Sequence, residues 1–214
     1  MSYLVTFLFD KENKWIKKYF DVYNFQSLNK KKYKVKISFD PNKIKKQDIV
    51  IPLSFTKKLN TNFLNSNLLT IIAHPSKLPK DKGFAPLANQ VLKGKNYFYI
   101  TIIKASEKID SGKIIMQKKF LLKGNELSFE LREIQALKIF FMLDIFFKKY
   151  PKIKFKKQIG KESYNKRRVP DNSKLNINKS IKDQFNLLRI VDNDNYPAFF
   201  YYKKFKYYLK IFKK

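Results

Sequence analysis

The chain contains one histidine, His74, placed where an imidazole can work. It closes the apolar run at residues 68–73 and opens the segment AHPSKLPKDKGFAP, after which a helical pattern begins. Imidazole takes up and releases protons near neutral pH, so a histidine at the mouth of a crevice is a candidate general acid or base. Taken alone, a single histidine is more often explained by packing or simple exposure. A second candidate is Asp110 in EKIDSGKI, where an Asp-Ser-Gly turn lies between two strand-like runs. A carboxylate there can orient an imidazole and balance its charge. Taken alone, it is also an ordinary turn that needs only local hydrogen bonds. The chain has no cysteine, which excludes disulfides and thiol chemistry, and a single histidine excludes a histidine-rich metal centre. No metal is expected.

These two residues need a scaffold, and the hydrophobic pattern supplies one. Residues 2–9 (SYLVTFLF), 33–38, 48–54 and 68–73 read as strands, each preceded or followed by polar connecting sequence, with a short helical candidate at 15–20. Residues 86–93 have helical composition and stop at Gly94. Residues 97–103 and 113–119 read as two more strands, with 107–112 as the loop between them. The longest helical segment is 126–150, with Leu127, Leu131, Ile134, Leu137 and Phe141 at helical spacing and Pro151 at its end. Strands alternating with crossovers predict an α/β sheet, in which ligands sit beyond the carboxyl ends of the strands. Residues 10–15, 54–56 and the segment from His74 onward should therefore converge on one crevice. Residues 1–155 read as the catalytic unit and 156–214 as a small C-terminal extension, with a helix at 181–191 and a β-hairpin from 198–202 and 207–212.

Composition narrows the function. The formal charge is +30, from 47 basic and 17 acidic residues, which invites a nucleic-acid reading. Only Arg132, Arg167, Arg168 and Arg189 are arginines, however, and lysine is spread along the whole chain with abundant Asn and Ile. A surface built to grip phosphates and bases uses more of the planar guanidinium, so a solvated lysine surface is the expected reading and nucleic acid is not the expected partner. The N-terminal apolar run lacks the features of a signal peptide, and residues 139–147 are too short and too interrupted by Asp144 to span a membrane. A cytoplasmic protein without membrane attachment is expected. The aromatic C-terminal hairpin offers a surface for a homodimer.

The segments HPSKLPKDKGFAP, EKIDSGKI, RRVPDNSKLNINKS and FNLLRIVDNDNYPAFF, in this order, resemble those of formyltransferases that use 10-formyltetrahydrofolate. The likeness extends over most of the chain and is nearest to short sugar N-formyltransferases of nonulosonic acid (pseudaminic and legionaminic) pathways, which share an Asn and a Trp just after the first strand, here Asn13 and Trp15. The resemblance implies a Rossmann-like formyltransferase fold with a mostly parallel sheet. It also implies 10-formyltetrahydrofolate as co-substrate and an amine on a nucleotide-linked sugar as acceptor, such as a UDP-linked 4-amino-4,6-dideoxyhexose. His74 and Asp110 then become the catalytic pair. Ser54, Leu78, Pro79, Gly83, Phe84 and Pro86 become candidates for the folate site, and Asn13, Trp15, Lys80, Lys82, Arg189 and Tyr196 candidates for the acceptor. A methionyl-tRNA formyltransferase is the alternative, although about 60 C-terminal residues are few for the tRNA-binding barrel of that enzyme. One position departs from the family pattern: Ile72 stands where the larger family has an Asn two residues before the histidine. A catalytically weak relative is the reading this opens, unless Thr70, Asn89, Gln90 or a backbone amide supplies the missing donor.

Overall fold

The computed structural model describes residues 2–214. Its centre is a six-stranded sheet in the order β2-β1-β3-β4-β6-β7. The strands are β1 (Tyr3–Phe9), β2 (Tyr33–Ser38), β3 (Ile49–Leu53), β4 (Leu69–His74), β6 (Tyr97–Lys104) and β7 (Ile114–Leu121). β2, β1, β3 and β4 run parallel, while β6 and β7 are antiparallel to their neighbours. All five residues of β3 are buried, which explains why this strand reads as an unbroken apolar run: a parallel strand covered on both faces has no solvent side.

The long helix α4 (Ser128–Lys149) covers the sheet through Phe140, Phe146 and Phe147, all fully buried. Phe140 and Phe147 join Phe7, Phe20 and Phe25 in one aromatic cluster, with ring centroids 5.6 to 6.4 Å apart across the α4 contacts. Asp144, which interrupts the apolar run of α4, accepts hydrogen bonds from the backbone N–H of Ser27 at 3.0 Å and the hydroxyl of Tyr23 at 3.2 Å. The carboxylate anchors the loop that follows α1 (Lys17–Val22). Burial, with the nearby Asp144 charge, pushes the Tyr23 hydroxyl up to about 12.

The remaining strands and α-helices are α2 (Thr61–Asn65), β5 (Lys82–Gly83), α3 (Pro86–Leu92), β8 (Tyr164–Asn165), α5 (Phe185–Ile190), β9 (Ala198–Tyr202) and β10 (Phe205–Leu209). β5 pairs with β8 in parallel, and Lys156 bridges Ile114, so residues 156–165 lie against the segments that carry His74 and Asp110. Leu175, Leu188, Val191 and Ala198 form a small second core. The helix expected at 181–191 divides into a 3-10 turn at Lys182–Gln184 and α5. The second hairpin strand starts at Phe205 and not at 207, because the turn has only two residues. Lys203 and Lys204 both take positive φ, 44° and 69°, the left-handed pair whose twist matches a hairpin. No helix among the described residues is long and apolar enough to cross a membrane.

Candidate active site

Three loops meet at the carboxyl edge of the parallel strands. After β1, Asp10 is 1% exposed and its carboxylate accepts from the Thr56 hydroxyl (2.6 Å) and from the backbone N–H groups of Thr56 (3.1 Å) and Glu12 (2.9 Å). Burial raises the acid's pKa, but the hydrogen bonds from Thr56, Glu12 and Asn13 outweigh it and bring Asp10 down to about 2. Asn13 donates to the carbonyl and hydroxyl oxygens of Ser54, and the Trp15 indole N–H donates to the same hydroxyl. Ser54 holds this position with φ of 53°. The β1 and β3 loops are thereby locked together, with Ser54 accepting from both Asn13 and Trp15.

This lock gives a pH prediction. A carboxyl with a folded-state pKa of about 2 against an ordinary 3.8 stabilises the fold fully above the ordinary value, and that contribution fades as the pH falls toward the folded value. It amounts to about 2 kcal/mol at neutral pH. Asp10→Asn is expected to lower Tm by about 4–8 °C at pH 7. Chemical denaturation of both proteins from pH 7 to 3 should show the gap closing below pH 4.

His74 ends β4 and is 5% exposed. Its Nε2 lies 2.9 Å from the backbone carbonyl of Asp81, and its Nδ1 lies 3.4 Å from Asp110 Oδ1. Both neighbours are acceptors. Whichever ring nitrogen carries a proton therefore has an oxygen acceptor to meet. The loop that supplies the Asp81 carbonyl is fixed at several points. Ser76 donates to the Lys80 carbonyl, Thr101 to the Ser76 carbonyl, and Lys93 pairs with the Asp81 carboxylate at 2.7 Å.

Asp110 sits in the loop between β6 and β7 with φ of 51°. Its Oδ2 accepts the backbone N–H of Gly83 at 2.8 Å. Gln158 Nε2 donates to the carbonyls of Asp110 (2.8 Å) and Gly112 (2.9 Å), clamping the turn from a segment 48 residues away. Gly112 packs so closely that a Cβ there would lie 1.6 Å from the Lys104 carbonyl oxygen. Lys82 supports the turn from below: its Nζ donates to the Ser111 hydroxyl and to Glu162, both at 2.8 Å. Hydrogen bonds from Lys82, Lys108 and Tyr164 hold the Glu162 carboxyl down at about 2.

Two acceptor-site expectations are corrected by this geometry. Lys82 is fully buried, so it braces the Asp110 turn and presents no charge to a diphosphate. Arg189 is fully buried as well, donating to the Glu126 carboxylate (3.0 Å), the Glu126 carbonyl and Asn186, which leaves no face for a substrate. Lys80 is exposed, and Tyr196 is 41% exposed on the rim of a cavity of about 250 Å³. Of the folate candidates, Leu78, Pro79 and Pro86 are buried in the loop and at the start of α3, Gly83 pairs with Asn165, and Phe84 is exposed beneath the Arg167 guanidinium.

None of Ser54, Leu78, Pro79, Gly83, Phe84 and Pro86 lines a larger open cavity of about 700 Å³, which is walled by residues 64–68, Thr61, Thr70 and residues 104–107. Its wall includes the loop that leads to Asp110. Thr70 Oγ1 is buried there without a hydrogen-bond partner. Side chains at every second position of a strand share a face, so Thr70, Ile72 and His74 line one face of β4 over about 13 Å. Gln158, Glu162 and this cavity escaped the sequence reading. Only the unusual Asn-Ser-Asn polarity of residues 65–67 ahead of an apolar strand hinted at the cavity.

A mostly parallel α/β sheet with a histidine at the carboxyl end of its last parallel strand, faced by an aspartate from a clamped turn, defines a Rossmann-like protein with a candidate acid–base pair. The formyl transferase family pattern matches residues 6–133, more than half of the chain and both members of the pair. The chain belongs to that family. It is 32% identical over 88 residues to a methionyl-tRNA formyltransferase of Borrelia garinii subsp. bavariensis, a match covering 41% of this chain and 28% of that protein; the chain thus spans under a third of that curated relative. Three solved structures share its fold. A methionyl-tRNA formyltransferase from Clostridium thermocellum has a TM-score of 0.77 at 20% identity, covering 95% of this chain and 90% of that one. A 4-N formyltransferase from Francisella tularensis has a TM-score of 0.73 at 17% identity, covering 98% and 97%. HypX from Aquifex aeolicus in complex with tetrahydrofolic acid has a TM-score of 0.66 at 14% identity, covering 99% and 38%.

Proposed function

We propose that this protein transfers a formyl group from 10-formyltetrahydrofolate to the primary amine of a nucleotide-linked amino sugar, with a UDP-linked 4-amino-4,6-dideoxyhexose as the first acceptor to try. The observation that carries the reading is the His74–Asp110 pair, held at the sheet's carboxyl edge within the stretch that matches the family. The sugar acceptor is supported by the fold it shares with the Francisella tularensis 4-N formyltransferase over nearly the whole of both chains. The match in sequence to methionyl-tRNA formyltransferases favours a second reading, in which the amine belongs to an aminoacyl-tRNA. In either reading residues 1–155 carry the reaction and 156–214 form an extension that braces the Asp110 turn.

The open cavity beside Thr70 is the better folate site. Its size suits a ring-bearing ligand, and its wall offers the backbone of Ser106 and Glu107 to the polar edges of a pterin. A ligand there points its reactive end along β4, past Ile72, toward His74. The folate supplies the formyl group; the chain supplies the rest. An amine attacks a formyl carbon only in its neutral form, so it must lose a proton as the new C–N bond forms. Asp110, fixed by the Gly83 N–H and beside His74, takes that proton, and the pair returns one to the folate nitrogen as its bond to the formyl carbon breaks and tetrahydrofolate leaves. Negative charge on the formyl oxygen needs a donor, and Ile72 has none. The Nε2–H of His74, once released from the Asp81 carbonyl, fills that role only in part, as a single donor.

Ile72→Asn tests this assignment directly. Ile72 is half-buried and outside the main hydrophobic clusters, so the fold should tolerate the change. A positioned donor at such a site is worth about 100-fold in turnover, and a rise in kcat of about tenfold or more is expected. An unchanged kcat would mean that another group already serves the oxygen fully.

A further inference from the structure

Of 47 lysines and arginines only four are arginines, and all four gather in one corner of the molecule. Arg132 and Arg168 line the cavity of about 250 Å³ between the start of α3, the first turn of α4 and the C-terminal residues. Arg189 adjoins Ile190, which also lines it, and Arg167 lies over the Phe84 ring, 5.8 Å from its centroid, next to the lining residue Ala85. In a chain that meets nearly every other need for positive charge with lysine, arginine marks places where a planar, weakly hydrated, five-donor fork is required.

Three of the four have partners that explain them. Arg189 pairs with Glu126 and Arg132 with Asp192, each at 3.0 Å, and Arg167 stacks on Phe84. Arg168 is different. It is half-buried, its Nη2 donates to the Asn172 carbonyl at 2.9 Å, and it makes no salt bridge among the described residues. Burial pushes its pKa down, the mark of a charge removed from water without a counter-ion. The cavity it lines has apolar walls from Leu87, Leu131, Val169 and Ile190, with the phenol of Tyr196 at the rim.

We propose that this cavity binds a small organic anion: one planar apolar ring bearing a carboxylate or phosphate, the ring against Leu87 and Leu131 and the acid gripped by Arg168. A dry cavity of about 150 Å³ holds a benzene ring, so 250 Å³ accommodates the ring and its acidic group. A guanidinium binds either acid bidentately, and burial of the pair removes the cost of the unpaired charge. The assignment does not rest on the formyl-transfer reading, because the site is defined by Arg168 and not by His74.

The test is isothermal titration calorimetry of the whole chain with benzoate, phenyl phosphate and inorganic phosphate in 0.3 M NaCl, where a Debye length of about 6 Å screens the lysine surface. Saturable one-site binding of benzoate or phenyl phosphate is expected, and which of the two binds more tightly identifies the acid. Arg168→Met keeps the apolar stem and removes the charge; it should weaken that binding about tenfold or more. Ala88→Leu fills the cavity from α3 without touching Arg168 and should abolish the binding, so it decides the matter if the Arg168 variant misfolds. Absence of saturable binding by both aromatic anions would overturn the proposal. Equal binding by wild type and either folded variant would do the same, and binding of inorganic phosphate alone would place the anions on surface lysines.

Discussion

His74→Ala is expected to lower kcat for formyl transfer by about 1,000-fold, within the range lost when a positioned acid–base group is removed. The fold should survive, because the polar contacts of the imidazole are confined to Asp110 and the Asp81 carbonyl. Asp110→Asn is the sharper variant of the pair. It preserves the shape of the side chain and can keep the Gly83 N–H bond through its amide oxygen, but it can neither take a proton from the amine nor pair with a charged imidazole. The same scale of loss in kcat, with little change in KM for the folate, is expected for both, and the double variant should be little worse than either single one because the two act as a unit. Steady-state kinetics with circular dichroism checks these outcomes; near-normal kcat in a folded variant removes that residue from the mechanism.

Gly112→Ala is expected to be the most damaging small substitution near the site. A Cβ at 1.6 Å from the Lys104 carbonyl oxygen cannot be accommodated by rotating a side chain, because both partners are backbone. The β6–β7 connection must move, and with it the Asp110 carboxylate and both carbonyls that Gln158 holds. A loss of about 4 kcal/mol or more is the scale expected for such overpacking combined with a broken hydrogen-bond cluster. For a chain of this size that is a fall in Tm of about 10 °C. Gly160→Ala is the control: no atom lies within 4 Å of the added Cβ, although its φ of 113° is itself strained. Differential scanning calorimetry should find Gly112→Ala far more damaging than Gly160→Ala. Near-equal Tm values would show that the turn is not as tightly packed as its geometry requires.

Much of this site was legible in the chain because it is built locally. The buried run that ends at His74 became β4, and the Asp-Ser-Gly sequence became the turn that carries Asp110, since periodicity and turn chemistry act over a few residues. The parts that stayed hidden depend on distant partners. Nothing near Gln158 says that its amide will clamp a turn 48 residues earlier. Lys82 is one lysine among many in sequence, and only the pairing of β5 with β8 turns it inward toward Glu162 and Ser111. Arg189 resembled a substrate-binding arginine in a shared motif, whereas the contact that occupies it is with Glu126, 63 residues away. The cavity beside Thr70 was hidden for the same reason, since it draws its walls from several elements: α2, the start of β4 and the end of β6. Asp144 shows the reverse case: its interruption of an apolar helix was plain in the sequence, while its purpose, to hold the loop at Tyr23 and Ser27, emerged only from the packing.

The most direct test of the central claim is to incubate the protein with 10-formyltetrahydrofolate and a panel of UDP- and dTDP-linked amino sugars, alongside a methionyl-tRNA, and to weigh the products by mass spectrometry. A gain of one formyl group on one sugar nucleotide, lost in His74→Ala and Asp110→Asn, is the predicted result. Formylation of the aminoacyl-tRNA alone would contradict the sugar acceptor while leaving the His74–Asp110 chemistry in place. No formyl transfer to any amine, by a protein that binds the folate, would contradict the account as a whole.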